Sequence, residues 1–441
     1  MTSAGYRFRE YVTRHRVGVG AALIVAFSLV GGTVAAVTQA SRATRQAELA
    51  TGKHAEAAAL FGLVVSHHEL GQFEEAEAVF ARALALFDTA TMRPHPLAAE
   101  ALLNIAMIRR LRSQIYDAEP LAASAVAMRG ALYDPDHPDV IEALGEWGVA
   151  LRDVGRYEES ERVLHEALER ANRSLGYDHQ VTLTMRERWG TVLYHLGRYQ
   201  EAGATVDSSI AVKRERLEPT DANYIMALSR AGDPYWMDNR LDRAEDRYRR
   251  ALEGAGHSGI YSILVLDRLA NIASARGDLD EADQLYDESL ALAAEKLRPG
   301  HRYTQTVRVD QAHLRIAQGR GAEMVDTLLN VLEIRGQVFR EPHPAIGRAL
   351  HPLGSAYLAA GDAARAERVL LRALESYAEI PDTHWRVGDV ESLLGAALVA
   401  QDRRVDGMRL LREGHATVVA HVGPESWQAR ATSARLSAAA G

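Results

Sequence analysis

The chain has 441 residues, a formal net charge of −8, 47% hydrophobic and 25% charged residues, which is ordinary for a globular protein. The acidic balance leaves no broad face to neutralise phosphates and argues against a nucleic-acid partner. Cysteine is absent, so disulfides, thiolate nucleophiles and cysteine-ligated metals are excluded.

Residues 1–16 form a short basic segment carrying Arg7, Arg9, Arg14 and Arg16. Between Arg16 and Arg42 lie 25 residues without a charge. A bilayer core of about 30 Å needs roughly 20 apolar residues in a helix, so residues 17–38 are predicted to be one transmembrane helix. Four basic residues precede it; Arg42, Arg45 and Lys53 follow. That slight bias keeps the N-terminus in the cytoplasm, places the protein in the cytoplasmic (inner) membrane as a single-pass protein, and puts the remainder on the extracytoplasmic side. A cleaved signal peptide is the alternative and would release a soluble exported binding protein. Its apolar region should be only about 7–15 residues long, ending in a small-x-small site, and Thr38-Gln39-Ala40 fits that poorly. A buried core helix would need one polar face, and this stretch has none.

Beyond residue 45 the chain repeats itself. "LGQFEEAE" (70–77) returns as "VGRYEESE" (154–161), "LGRYQEAG" (196–203), "NRLDRAED" (239–246), "RGDLDEAD" (276–283) and "AGDAARAE" (360–367). Weaker copies are "SQIYDAEP" (113–120), "GRGAEMVD" (319–326) and "QDRRVDGM" (401–408). Anchored on Ala76, Ala118, Ser160, Ala202, Ala244, Ala282, Met324, Ala366 and Gly407, the steps are 42, 42, 42, 42, 38, 42, 42 and 41. A regular period of this size marks a repeat architecture. Each unit reads as two amphipathic helices. A small residue stands twelve before the anchor (Ala106, Gly148, Gly190, Gly232, Ala270, Ala312, Gly354, Gly395) and a bulky one stands four after it in most copies (Phe80, Leu164, Val206, Tyr248, Tyr286, Leu328, Leu370, Leu411). Small residues let helices approach and bulky ones fill the seams. Gly or Asn five before the anchor ends the first helix in a left-handed conformation.

These columns resemble the tetratricopeptide repeat. The 42-residue period and the histidine that opens units in "RPHP" (93–96), "PDHPD" (135–139), "YDHQ" (177–180), "PGHR" (299–302), "EPHP" (341–344) and "DTHW" (382–385) are similar to the kinesin light chain type. One histidine per repeat reads as helix-start punctuation and not as a metal ladder, because successive rings lie a repeat apart. The resemblance implies an all-α superhelical solenoid of about nine helix pairs over residues 45–424, with a C-terminal capping helix over 425–441. It also implies protein or peptide binding on a concave groove lined by the first helices. Carrying over the inward columns gives Asn104, Arg110, Arg152, Arg188, Tyr194, Arg230, Trp236, Arg268 and Asn271. Five arginines on one face suit an acidic or carboxylate-bearing peptide; a solvated helix face in an arginine-rich protein is the plainer reading. Pro234, inside the first helix of the fifth unit, is expected to disturb it.

No catalytic, cofactor or metal motif accompanies the repeats. "GAGHSG" (254–259) fits a dinucleotide loop on paper but follows a helix and not a strand. "HHEL" (67–70) lacks a second zincin histidine, and no Walker loop or G-x-S-x-G occurs. "GYR", "YV" and "RHRVGV" within residues 5–32 resemble the juxtamembrane and transmembrane part of bacterial serine/threonine protein kinases that carry outer tetratricopeptide repeats. That resemblance implies the interaction part of such a kinase; V-A-I-K, H-R-D and D-F-G are absent from this chain, so the expectation is a membrane-anchored scaffold without catalysis of its own.

Overall fold

The computed structural model describes residues 73–85 and 94–440, apart from 258, 298, 299, 379, 382 and 383. Eighteen α-helices, one 3-10 turn and no strand occur among the described residues. The predicted membrane span at 17–38, the kinase-like stretch at 5–32 and the first helix of the first repeat lie outside them. No helix among the described residues is long and apolar enough to cross a membrane.

The chain divides into two compact units, residues 1–150 and 151–441. The first holds α1 (Phe73–Ala85), α2 (Pro96–Leu111), α3 (Ile115–Leu132) and most of α4 (Pro138–Asp153). Its core is built from alanines and leucines, with Ala98, Ala99, Ala125 and Ala143 around Leu102 and Met128. Glu77 on α1 accepts from Arg109 and Arg112 near the end of α2.

The second unit continues through α5 (Tyr157–Ser174), α6 (Gln180–His195), α7 (Tyr199–Arg216), α8 (Ala222–Met237), α9 (Leu241–Ala255), α10 (Ile260–Arg276) and α11 (Leu279–Lys296). Then come α12 (Arg302–Ala317), the 3-10 turn Gly321–Met324 leading into α13 (Val325–Gly336), α14 (Pro344–Ala359) and α15 (Ala363–Ser376). The last three are α16 (Trp385–Val399), α17 (Arg404–Val422) and α18 (Trp427–Ala440). Helix α8 runs on past Pro234 to Met237.

Each pair is locked where the small column of its first helix meets the bulky column of its second. A Cβ added at Gly190, Gly232 or Gly354 would fall 2.7, 2.3 and 2.4 Å from Val206, Tyr248 and Leu370. Real atoms do not approach so closely, so these positions demand glycine as long as the opposite residue stays large. The turn between the two helices is left-handed in every described pair: at Gly155, Gly197, Asn239, Gly277, Gly319 and Gly361, and also at Ser113 (φ 65°) and Asp402 (φ 63°). Those last two copies lack the glycine yet adopt the same conformation, since the packing of the two helices overrides the local preference.

Histidine opens the helices as expected. Nδ1 of His95, His137, His179, His301, His343 and His384 accepts from the backbone N–H two residues on, at 3.0–3.3 Å. Asp221 does the same for α8. An accepting Nδ1 leaves the proton on Nε2, and the second unit uses it. His343 Nε2 donates to the Asp153 carbonyl at 3.0 Å, and His384 Nε2 to the Tyr199 hydroxyl at 3.2 Å. Trp385 Nε1 donates to the same hydroxyl at 2.8 Å, and Asn239 reaches the Glu425 carbonyl. Partners in this seam are 185 to 190 residues apart, so the second unit winds until later helix starts rest on earlier turns. A Cβ at Gly197 would strike the His421 and His384 rings at 2.7 and 2.8 Å.

Two outcomes follow from this packing. Replacing Asp402 by Gly removes a left-handed non-glycine residue, and thermal melts should show a gain of about 0.5–1 kcal/mol; an unchanged or lower midpoint would contradict the strain. The second concerns pH. Burial pushes His343 and His313 down to about 4, and His384 and His195 well below the usual imidazole range. Between pH 6.5 and about 4 the unfolded chain therefore binds more protons than the folded one. Stability is fully present above pH 6.5 and falls on acidification, by up to about 1.4 kcal/mol per pH unit for each such histidine. Melting temperatures measured across this window should drop. His343→Asn, which keeps an N-cap acceptor, should make the drop shallower.

Candidate functional site

The second unit encloses a cavity of about 570 Å³. Its wall comes from α8, α10, α12 and α14, the end of α13, and α16 and α18, which the histidine seam brings back against α6 and α8. Trp236 and Trp427 stack at 6.1 Å with an interplanar angle of 13°, and Trp385 meets Trp427 edge-on at 5.6 Å. Tyr194, Tyr286 and Tyr377 complete an aromatic lining.

Seven arginines and two aspartates share the same wall, with no lysine or glutamate. The charges are unevenly matched. Arg268 is held by Asp233 at 2.8 Å, Asp267 at 2.6 Å and Asp310 at 3.2 Å. Burial and the adjacent Asp310 push the Asp267 carboxyl well above the usual range. Arg435 pairs with Asp389, which also receives His351 Nε2 at 2.8 Å. Arg276 pairs with Asp242 and Glu245. Arg430 donates to the Glu425 and Ala275 carbonyls, and Arg335, Arg348 and Arg386 likewise make no ion pair among the described residues. Arg386 instead lies among tyrosines, with Tyr194 and Tyr199 close enough to favour its charged form, and 4.7 Å from the centre of the Trp385 ring. Arg335, 9% exposed, donates to the Ala345 carbonyl at 2.6 Å. Burial, with Arg348 close by, pulls its guanidinium down to about 9.

Of the residues carried over from the sequence, Tyr194, Trp236, Arg268 and Asn271 lie on this wall. Asn271 donates to the Asp267 carbonyl and to Asp310, so it and Arg268 serve an internal network. Arg152, Arg188 and Arg230 belong to the same unit but not to the cavity lining. Arg230 is exposed and 3.8 Å from Glu187. Arg152 pairs with its neighbour Asp153. Asn104 and Arg110 are in the first unit, where Asn104 donates to the Glu100 carbonyl and Arg110 pairs with Glu146.

The lining residues missed from sequence include Arg335, Arg348, Trp385, Arg386 and Trp427. One signal could have found the first. Eleven residues after the anchor stands a buried cation in three copies, Arg129, Lys213 and Arg335, each donating to a carbonyl ten residues on. Lys213 is neutralised by Glu187 at 2.6 Å. The residue equivalent to Glu187 is Leu103 in the copy that carries Arg129 and Val309 in the copy that carries Arg335, and only Arg335 lines the cavity.

This division of the arginines has a measurable consequence. Arg268→Met strands three aspartates around a buried site and should cost on the order of 3 kcal/mol in denaturant unfolding. Arg348→Met strands none, and should be neutral or stabilising. Equal losses in the two variants would contradict the pairing described here.

Tetratricopeptide repeat models match residues 181–255 and 303–379, residues 98–139, 140–180 and 263–303, and residues 35–91. No curated protein sequence matches. Among solved structures, Rap protein complexed with competence and sporulation factor is similar with a TM-score of 0.51 at 11% identity, over 78% of this chain and 97% of that one. A tetratricopeptide repeat protein from Parabacteroides merdae is 19% identical over 68% of this chain and 98% of its own, with a TM-score of 0.43. Kinesin light chain-like repeats from Podospora anserina are 18% identical over 55% and 97%, with a TM-score of 0.28. Taken together, the matched stretches run through most of the sequence, and the chain belongs to the tetratricopeptide repeat family.

Proposed function

We propose that the chain is a membrane-anchored scaffold that binds an acidic protein or peptide segment on the inner side of its solenoid and performs no chemistry of its own. The observation that carries the reading is the excess of arginine over carboxylate on that inner side, where Arg335, Arg348 and Arg386 make no ion pair among the described residues. Charge-assisted bonds from such groups favour carboxylate-bearing partners. The likeness to a Rap protein complexed with a factor supports ligand binding by a fold of this kind. Anchoring rests on the 25 uncharged residues between Arg16 and Arg42, with the solenoid on the extracytoplasmic side. The kinase-like residues 5–32 favour a second reading, in which the repeats serve as the interaction part of a transmembrane serine/threonine kinase.

The test has two arms. The expressed chain should stay in the membrane pellet through carbonate extraction; a shortened soluble form beginning near Ser41 would favour signal cleavage. An acidic peptide selected from a display library should bind the full-length chain and lose at least tenfold in affinity when Arg348→Met is combined with Arg386→Met. Unchanged binding at an unchanged melting temperature would show that the partner is recognised elsewhere.

A further inference from the structure

We infer that the cavity of the second unit is a binding site for a small oxyanion with an aromatic or apolar body, a carboxylate or phosphate monoester and not a folded segment. The inference rests on the reading that the inner side binds ligands, and it names the ligand class.

Three observations carry it. The first is size. A volume of 570 Å³ falls within the roughly 300–1,000 Å³ of small-molecule pockets. An α-helix with its side chains is about 10–12 Å across and needs an open groove, whereas here the seam through Tyr199, His343 and His384 closes the turn. The second is charge. Arg335, Arg348 and Arg386 have no carboxylate partner. In the same column Lys213 is neutralised by Glu187, while Arg129 rests, like Arg335, on a carbonyl alone; Arg335 differs from Arg129 in lining the cavity beside Arg348. A buried uncompensated cation is costly, and one such group near a second cation is best explained by an anion that binds between them. The third is the remainder of the wall. Three of the chain's five tryptophans line the cavity, offering flat apolar surface. Trp236 and Tyr377 are nine-tenths buried or more, and the Trp236 indole N–H and the Tyr377 hydroxyl have no hydrogen-bond partner.

The tryptophans provide the readout. Full-length protein is titrated with 1-naphthyl phosphate, 1-naphthoate, 1-naphthol, inorganic phosphate and an acidic decapeptide, following tryptophan fluorescence and heat. At least one of the two naphthyl anions should bind once per chain and quench fluorescence. It should bind at least tenfold more tightly than naphthol or inorganic phosphate; the tighter of the two anions identifies the oxyanion. Arg348→Met and Arg386→Met should each weaken binding tenfold or more, while Arg403→Met, an exposed partner of Glu367, should not. Arg348→Met should also melt no lower than the wild type, because it relieves repulsion at Arg335, so lost binding cannot be lost folding. Failure of both naphthyl anions to saturate, naphthol binding as tightly as they do, or unaltered affinity in the Arg348 variant would overturn the inference. Tight binding of the decapeptide without either small anion would overturn it too, while leaving the scaffold reading intact. Binding of a small anion without the peptide would support it and remove the peptide from that reading.

Discussion

Everything in the second unit depends on how closely two helices of one repeat can approach. A glycine or alanine twelve residues before the anchor faces a bulky residue four after it, and the space between is too small for one more carbon atom at Gly190, Gly232 and Gly354. Because this contact recurs at nearly constant spacing, each pair presents the same shape to the next. The small rotation from pair to pair then accumulates. After 185 to 190 residues the chain meets itself, and helix starts around His343 and His384 land on the turns at Asp153 and Tyr199.

The histidines at those starts do two jobs with one ring. Nδ1 satisfies an orphan N–H of the helix, and the proton this leaves on Nε2 supplies the contact between turns. A carboxylate could cap equally well, as Asp221 does for α8, but it has no proton to donate to the Asp153 carbonyl. The choice of histidine is thus explained at His343 and His384 by a partner far away in sequence. Burial keeps these rings neutral, which makes closure of the turn sensitive to acid.

Closure also sorts the arginines. Arg268 and Arg435 are held by aspartates, and their role is to make buried carboxylates tolerable. Arg335, Arg348 and Arg386 share the cavity without such partners. Folding brings like charges together there because helix packing, worth far more in total, decides where α13, α14 and α16 go. Local electrostatics must then be satisfied by backbone carbonyls, tyrosine hydroxyls, water or a ligand.

Much of the architecture was legible in the sequence because it is local. The period of 42, the small and bulky columns, the left-handed turn residue and the capping histidine all act within one repeat, and a repeat is read by comparison with its copies. Even Ser113 and Asp402, which have a Cβ where most copies have glycine, take the left-handed conformation that their position in the repeat requires. The candidate site was legible only in part. Tyr194, Trp236, Arg268 and Asn271 belong to inward columns and were found by them, but whether an arginine is held by Asp310 or left without a carboxylate cannot be read from a column. The sequence by itself determined the repeat, its turns and its caps, since these follow from steric limits over a few residues. Only the tertiary structure decided that the turn closes, that Trp385, Arg386 and Trp427 face Trp236 and Tyr194 across one cavity, and which arginines remain unpaired there. Those outcomes depend on a small rotation summed over many pairs, and no single repeat carries that sum.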